Sequence, residues 1–308
     1  MSTRPIPPSG EQIELTHGDQ RAVVVEVGGG LRAYSAGGRE LLDAYPADGP
    51  IASGRGQVLI PWPNRIEDGA YEFDGKQHQL ALDELEARNA IHGLVRWAGW
   101  RTGEREQSRV VLEHMLHPQP GYPFALHLTV EYALSDGGLS VATTATNVGP
   151  GACPYGCGFH PYLTLGTPTV DSLVLTVPAR AVLRSDGRSL PTGRVDVDGT
   201  EFDFTEPRAI GTTRLDNCFT DLERENGIAR VELRSPEDGA GLTLWLDDTY
   251  GYVMLFTGDP LPDVDRRSVA VEPMTCPPNA FRSGEALIRL EPGRSVTSTW
   301  GITPTLPA

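Results

Sequence analysis

The sequence predicts an all-β protein, a large antiparallel β-sandwich. Three observations carry this. Several stretches alternate apolar and polar residues with period two, the repeat of a half-buried strand. Glycine (35) and proline (26) together make about a fifth of the 308 residues, and they recur between short apolar runs, as frequent turns require. Convincing helical repeats are scarce.

Taken in chain order, the elements agree. In YEFDGKQHQL the pair Asp74-Gly75 marks a tight hairpin. Leu82 to Asn89 is long enough for a helical turn or two. In ALHLTVEYAL the residues Leu126, Leu128, Val130, Tyr132 and Leu134 fall on one face of an extended chain. The run from Ser235 to Gly239 separates two further strands, the second holding Leu242, Leu244 and Leu246 on one face. In SVAVEPM, Val269 and Val271 alternate with Ala270 and Glu272. Glu291-Pro292-Gly293 separates a last pair of strand-like runs. No glycine-rich phosphate loop follows a strand, so no nucleotide cofactor is expected. One domain over residues 1–308, built of two stacked sheets, fits best; two smaller sandwiches also fit the length.

Composition narrows the partners. Hydrophobic residues are 39% and charged residues 22%, as in a globular chain. The net charge of −15 repels phosphate backbones and anionic lipid. Nucleic acid and membrane surfaces are therefore not expected as partners. A pocket arginine can still admit an anionic small molecule. The N-terminal MSTRPIPPSGEQIEL has no apolar core of a secretory signal, and no run of 18 apolar residues occurs. Cys153, Cys157, Cys218 and Cys276 are then expected as free thiols in the cytoplasm. No pattern sets the oligomeric state.

Four polar islands interrupt the β pattern. In GQVLIPWPNRIEDGAYEF, prolines surround Asn64 and Arg65; a planar guanidinium suits hydroxyl recognition, though the segment alone reads rather as a surface loop with a solvated arginine. In NAIHGLVRWAGW, His92 lies near Trp97 and Trp100, whose faces can stack on a sugar; core packing explains the same residues. In CPYGCGFHPYLTLG, Cys153, Cys157 and His160 tempt a zinc reading. On an extended chain the two cysteines share one face and His160 points to the other, and no fourth ligand is near, so no metal is expected. His160 is then of interest as a titrating group. In SVAVEPMTCPPNAF, Glu272 ends an apolar strand and is a candidate general base; an exposed strand end is its bland alternative. Asp216 in RLDNCFTDL adds an acidic candidate that, taken alone, reads first as an Asx-type turn cap.

The ordered set PWPNRI, AIHGLVRWAGW, FHPYLTLG, LDNCFTDL and AVEPMTCPPNAF resembles the aldose 1-epimerase (galactose mutarotase-like) family, from about Gln12 to Trp300. HPYL and EPMTCPPNAF are most similar to a bacterial branch that includes a sulfoquinovose mutarotase. The resemblance implies a supersandwich fold and a set of roles. Glu272 matches the catalytic base and His160 the acid. His92 matches the second pocket histidine, Arg65 after Asn64 the substrate-binding arginine, and Asp216 the acid that holds sugar hydroxyls. Better-known members have a Gln two residues after the Glu and a PDA-like motif; here stand Met274 and Cys276-Pro277-Pro278. Trp97 is added as a stacking candidate.

Such a site would interconvert the anomers of a free aldose without a cofactor. Glu takes the C1 hydroxyl proton while His protonates the ring oxygen. A glycoside hydrolase using Glu272 and Asp216 is the enzyme alternative. A non-catalytic carbohydrate-binding protein is the other. Galactose, glucose and an anionic aldose all remain open as ligands.

Overall fold

A computed structural model describes residues 6–307; the first five residues of the stretch read above for a signal lie outside it. The molecule is built from antiparallel sheets. The largest runs Arg101–Arg105, Arg109–Leu116, Leu126–Ser135, Gly138–Asn147, Ser295–Thr305, Gly241–Leu246, Ala229–Arg234, Val174–Thr176, Arg208–Ala209. The second runs Pro191–Asp196, Ala179–Ser185, Asp216–Leu222, Tyr252–Phe256, Val269–Met274, Gly158–Phe159, Val58–Leu59, with Tyr162–Leu163 paired to Val269–Met274. A four-stranded sheet over Gln12–Glu40 and short ribbons complete the fold. No helix among the described residues is long and apolar enough to cross a membrane.

Alternation places the core. In Leu126–Ser135 every second residue from Leu126 to Leu134 is buried, as the period-two pattern requires. Leu242, Leu244 and Leu246 are likewise buried. These side chains join Phe219, Val253 and Val271 of the second sheet in one apolar cluster. Phe159 and Trp300, from the two sheets, meet at 5.2 Å. Burying such side chains yields about 1.5–3 kcal/mol each, so the inter-sheet layer is the main source of cohesion.

Asp74-Gly75 makes the expected hairpin between Ala70–Phe73 and Lys76–Gln79; both residues have positive φ, as a type I′ turn demands. Residues 235–239 link two paired strands. The strands flanking Glu291-Pro292-Gly293 do not pair with each other; they join different sheets. Leu82–Asn89 is not helical. It is a turn closed by backbone bonds between Glu84 and Asn89, and Asn89 begins a strand. The α-helical turn lies instead at Ala280–Ser283, between two left-handed residues, Asn279 and Gly284.

Candidate active site

Glu272 lies inside the strand Val269–Met274, not at its end. All six residues of that strand are buried, because both faces are covered. Val269 and Val271 enter the main core. Glu272 faces the other way, and register explains its neighbours. Leu183, Cys218, Met254 and Glu272 stand directly opposite one another on four adjacent strands. Residues opposite each other share a face. Asp216, two residues before Cys218, shares it too. Glu272 is 2% exposed, which rules out the exposed strand end.

His160 follows the strand Gly158–Phe159. Its backbone is clamped by the turn before Val58: the His160 N–H donates to the Gln57 carbonyl at 3.1 Å, and its carbonyl accepts from Gly56 at 2.9 Å. Nε2 lies 3.3 Å from Glu272 Oε1. The ring stacks on Tyr162 (4.9 Å, 18°) and meets His92 edge-on at 5.4 Å. Gly54, with φ +75°, lies so close that a Cβ there would stand 2.9 Å from His160 Cδ2.

His92 and Asn64 fix each other. The Asn64 N–H donates to His92 Nδ1 at 3.2 Å, and the His92 N–H donates to the Asn64 carbonyl at 2.8 Å. With Nδ1 accepting, the neutral ring carries its proton on Nε2. His92 itself sits at φ 62°. The Asn64 side-chain oxygen accepts the Arg65 N–H at 3.0 Å. Arg65 is then gripped by Glu84 through Nε and a terminal nitrogen, at 2.8–3.1 Å. Arg96 pairs with Asp83 through a single terminal nitrogen.

All seven predicted residues, Glu272, His160, His92, Arg65, Asp216, Asn64 and Trp97, line one cavity of about 380 Å³. Trp97 stands at the rim, 58% exposed, with the Arg96 guanidinium 5.9 Å from its ring. The wall also holds Arg96, a candidate arginine for an anionic sugar, and Gln57, Tyr162, Met254 and Phe256, which the sequence reading did not single out as ligand contacts. The tyrosine had a signal, its place beside His160. The others had none.

Burial controls the charges. It raises the Glu272 pKa well above the usual carboxylate value; the nearby Asp216 adds to this and Arg65 opposes it. Burial also lowers His160 to about 3, with Arg55, Arg96 and Arg65 pushing the same way against its own backbone bond. His92 is lowered by burial and by His160. Asp216 is exposed by area, yet the surrounding walls raise its pKa against the pull of Arg65. The free site thus favours a neutral imidazole and a protonated carboxyl in direct contact.

The cysteines do not join His160. The chain turns between Cys153, whose strand pairs with Ile288–Leu290, and Gly158–Phe159 of the other sheet. Face parity along one extended strand is therefore not what separates them; the bend is. Among the described residues, His92, His160 and Glu272 are the group whose ligand atoms come close enough to hold a metal ion, within 4.8 Å of one another. Trp100 does not reach the cavity either. It is 2% exposed and packs on His114 at 5.3 Å.

Comparison with known proteins follows the same outline. A family model described as aldose 1-epimerase matches residues 11–303. The uncharacterised protein YihR of Escherichia coli K12 is 38% identical over 93% of this chain and 91% of its own. Human galactose mutarotase is 32% identical over 66% of this chain and 62% of its own. The crystal structure of a GalM/aldose epimerase homologue from C. elegans superposes with a TM-score of 0.86 at 18% identity, over 97% of this chain and 99% of that one; it shares the fold.

Proposed function

Because the chain belongs to the aldose 1-epimerase family, we propose that it interconverts the α and β anomers of a free aldose with Glu272 as base and His160 as acid. The reaction class, an isomerase of the aldose 1-epimerase type, comes with the family. The residue roles and the sugar are the part proposed here, supported by the geometry of the pocket and by the relatives. The observation that carries the reading is the 3.3 Å contact between His160 and Glu272 at the wall of a sugar-sized cavity.

Glu272 takes the proton of the C1 hydroxyl. His160 gives a proton to the ring oxygen as the C1–O5 bond breaks. The products are an open-chain aldehyde, a protonated Glu272 and a neutral His160. After rotation about C1–C2, His160 takes the O5 proton back as O5 attacks C1, and Glu272 returns its proton to O1. One proton serves the pair throughout. The closed sugar needs it on His160, and the open aldehyde needs it on Glu272. Burial favours the second arrangement, which lowers the cost of the open form relative to the closed one. Arg65, Asp216, Asn64 and His92 orient the hydroxyls, and Trp97 offers a stacking face at the rim.

A neutral hexose is the first substrate to test, since galactose mutarotases are among the relatives. An anionic aldose is the second reading. Arg65 is held by Glu84 through Nε and one terminal nitrogen, which leaves the other terminal nitrogen for a hydroxyl, whereas Asp83, the partner of Arg96, is 40% exposed and can be exchanged for a ligand anion. The four cysteines are free and buried, in keeping with the cytoplasmic setting expected from the sequence. The test is NMR exchange between anomers with a panel of free neutral and anionic sugars. Acceleration of at least one sugar, lost in Glu272→Gln, is expected. No acceleration across the panel would overturn the proposal.

A further inference from the structure

Behind the His160 ring lies a second layer, which reaches the cavity wall at Tyr162. Tyr162 stacks on His160 nearly in parallel, and the Arg55 guanidinium sits 5.3 Å over the Tyr162 ring. Arg55 is not part of the cavity wall. Its side chain is only 5% exposed. It donates to Asp43 at 3.1 and 3.3 Å, to the Asp263 carboxylate at 2.7 Å and carbonyl at 2.8 Å, and to the Ala52 carbonyl at 3.3 Å. The Tyr162 hydroxyl donates to the Ser53 carbonyl at 2.8 Å.

We propose that Arg55, acting through Tyr162, is a positioning residue that fixes the plane of the His160 imidazole toward Glu272 and the sugar ring oxygen. The inference rests on the role given to His160 above. A guanidinium with its donors committed to two aspartates and two carbonyls is held rigidly. A cation over an aromatic face is attracted to it, more so when desolvated. Tyr162 is thus held by its hydroxyl and by the guanidinium against its ring, and the imidazole stacks on that same ring. The effect is geometric first. It is also electrostatic, because Arg55 opposes a charge on His160. The other groups facing His160 are Glu272, His92 and Tyr162 at close range, with Arg96 and Arg65 further off.

The test compares Arg55→Met, Arg55→Lys, Tyr162→Leu and the double variant Arg55→Met/Tyr162→Leu. Anomer exchange gives kcat and KM across pH, and NMR of ¹⁵N-labelled imidazoles follows His160 directly. Thermal unfolding checks that each variant is folded. Arg55→Met should lose roughly 10- to 100-fold in kcat, the scale of displacing a reacting group by about an ångström, with KM changed by about twofold or less. His160 should titrate at higher pH in that variant, because a positive neighbour is gone. Arg55→Lys should return the titration toward wild type while recovering only part of kcat. The double variant should be no worse than Tyr162→Leu alone, since both act on one chain of contacts. Wild-type kcat and titration in folded Arg55→Met, or additive losses in the double variant, would overturn the proposal. If Arg55→Met does not fold, Arg55→Lys and Tyr162→Leu decide: unchanged kcat and titration in both overturns it. If the wild type accelerates no sugar, the mutarotase reading fails, while the imidazole titrations still judge whether Arg55 acts on His160.

Discussion

His160 Nε2 and Glu272 Oε1 meet at 3.3 Å, with both side chains almost entirely removed from solvent. Burial pushes the two in opposite directions, the imidazole down to about 3 and the carboxyl well up. Together they hold one proton over a wide span of pH. The limbs of the activity profile therefore belong to the pair and not to either residue.

The pH profile should be bell-shaped and broad. On the acid side, activity falls when a second proton is forced onto the pair, well below the ordinary histidine value. On the alkaline side it falls when the single proton is lost, above the ordinary carboxylate range. Polarimetry from about pH 3 to 10 measures both limbs. An acid limb near 6 to 7 would contradict this account.

Glu272→Gln keeps the shape of the side chain and removes the base. Turnover should drop by about 10²–10⁴-fold, the usual worth of one acid–base group, while sugar binding stays near normal. Calorimetric binding beside NMR exchange separates the two quantities. Full turnover in the variant would sink the assignment.

The same substitution should stabilise the fold, and only at higher pH. The Glu272 pKa is raised in the folded state. Its contribution to stability is therefore complete below the ordinary glutamate range and is lost as pH rises through the folded value. Gln carries no such loss. A gain on the order of 1–2 kcal/mol near neutrality is expected. Thermal unfolding of both proteins at pH 4 and pH 8 gives the check. An equal difference at the two pH values would mean that ionisation is not its source.

Gly93 is a structural requirement for His92. Its φ is +74°, and a Cβ there would lie 2.1 Å from the Ile60 carbonyl oxygen. That oxygen already accepts the Leu94 N–H at 2.7 Å. Gly93→Ala should cost at least about 2 kcal/mol, through strain and a forced backbone shift. Urea unfolding midpoints report it. A loss below about 0.5 kcal/mol would show that the loop yields easily.

Arg96→Met tests the sugar. If the substrate is anionic, this variant should raise KM for anionic sugars and leave neutral ones near wild type. If the substrate is neutral, all sugars should respond alike. The panel of exchange rates distinguishes the two.

Much of this was legible in one dimension. Alternation fixed which residues of Leu126–Ser135 and Gly241–Leu246 face the core, because strand geometry depends only on neighbours in the chain. Asp74-Gly75 announced its hairpin for the same local reason. The seven residues that line the cavity were picked out as candidates from an ordered set of motifs. What could not be read were partners distant in sequence. Nothing near Arg65 announces that Glu84 will bind it, or that Arg55 will back Tyr162 through aspartates at 43 and 263. Trp97 and Trp100, three residues apart in one segment, look equivalent in sequence. One lies at the cavity rim and the other under His114.

The sequence by itself determined the strand faces, the turns and the kinds of chemical group available. Only the tertiary structure decided their protonation. A pKa depends on how much water and charge surround the group, and that shell is assembled here from segments between residues 54 and 272. A strand-end glutamate and a core histidine were respectable readings until adjacent strands enclosed them together. In that enclosure the same two side chains share a single proton.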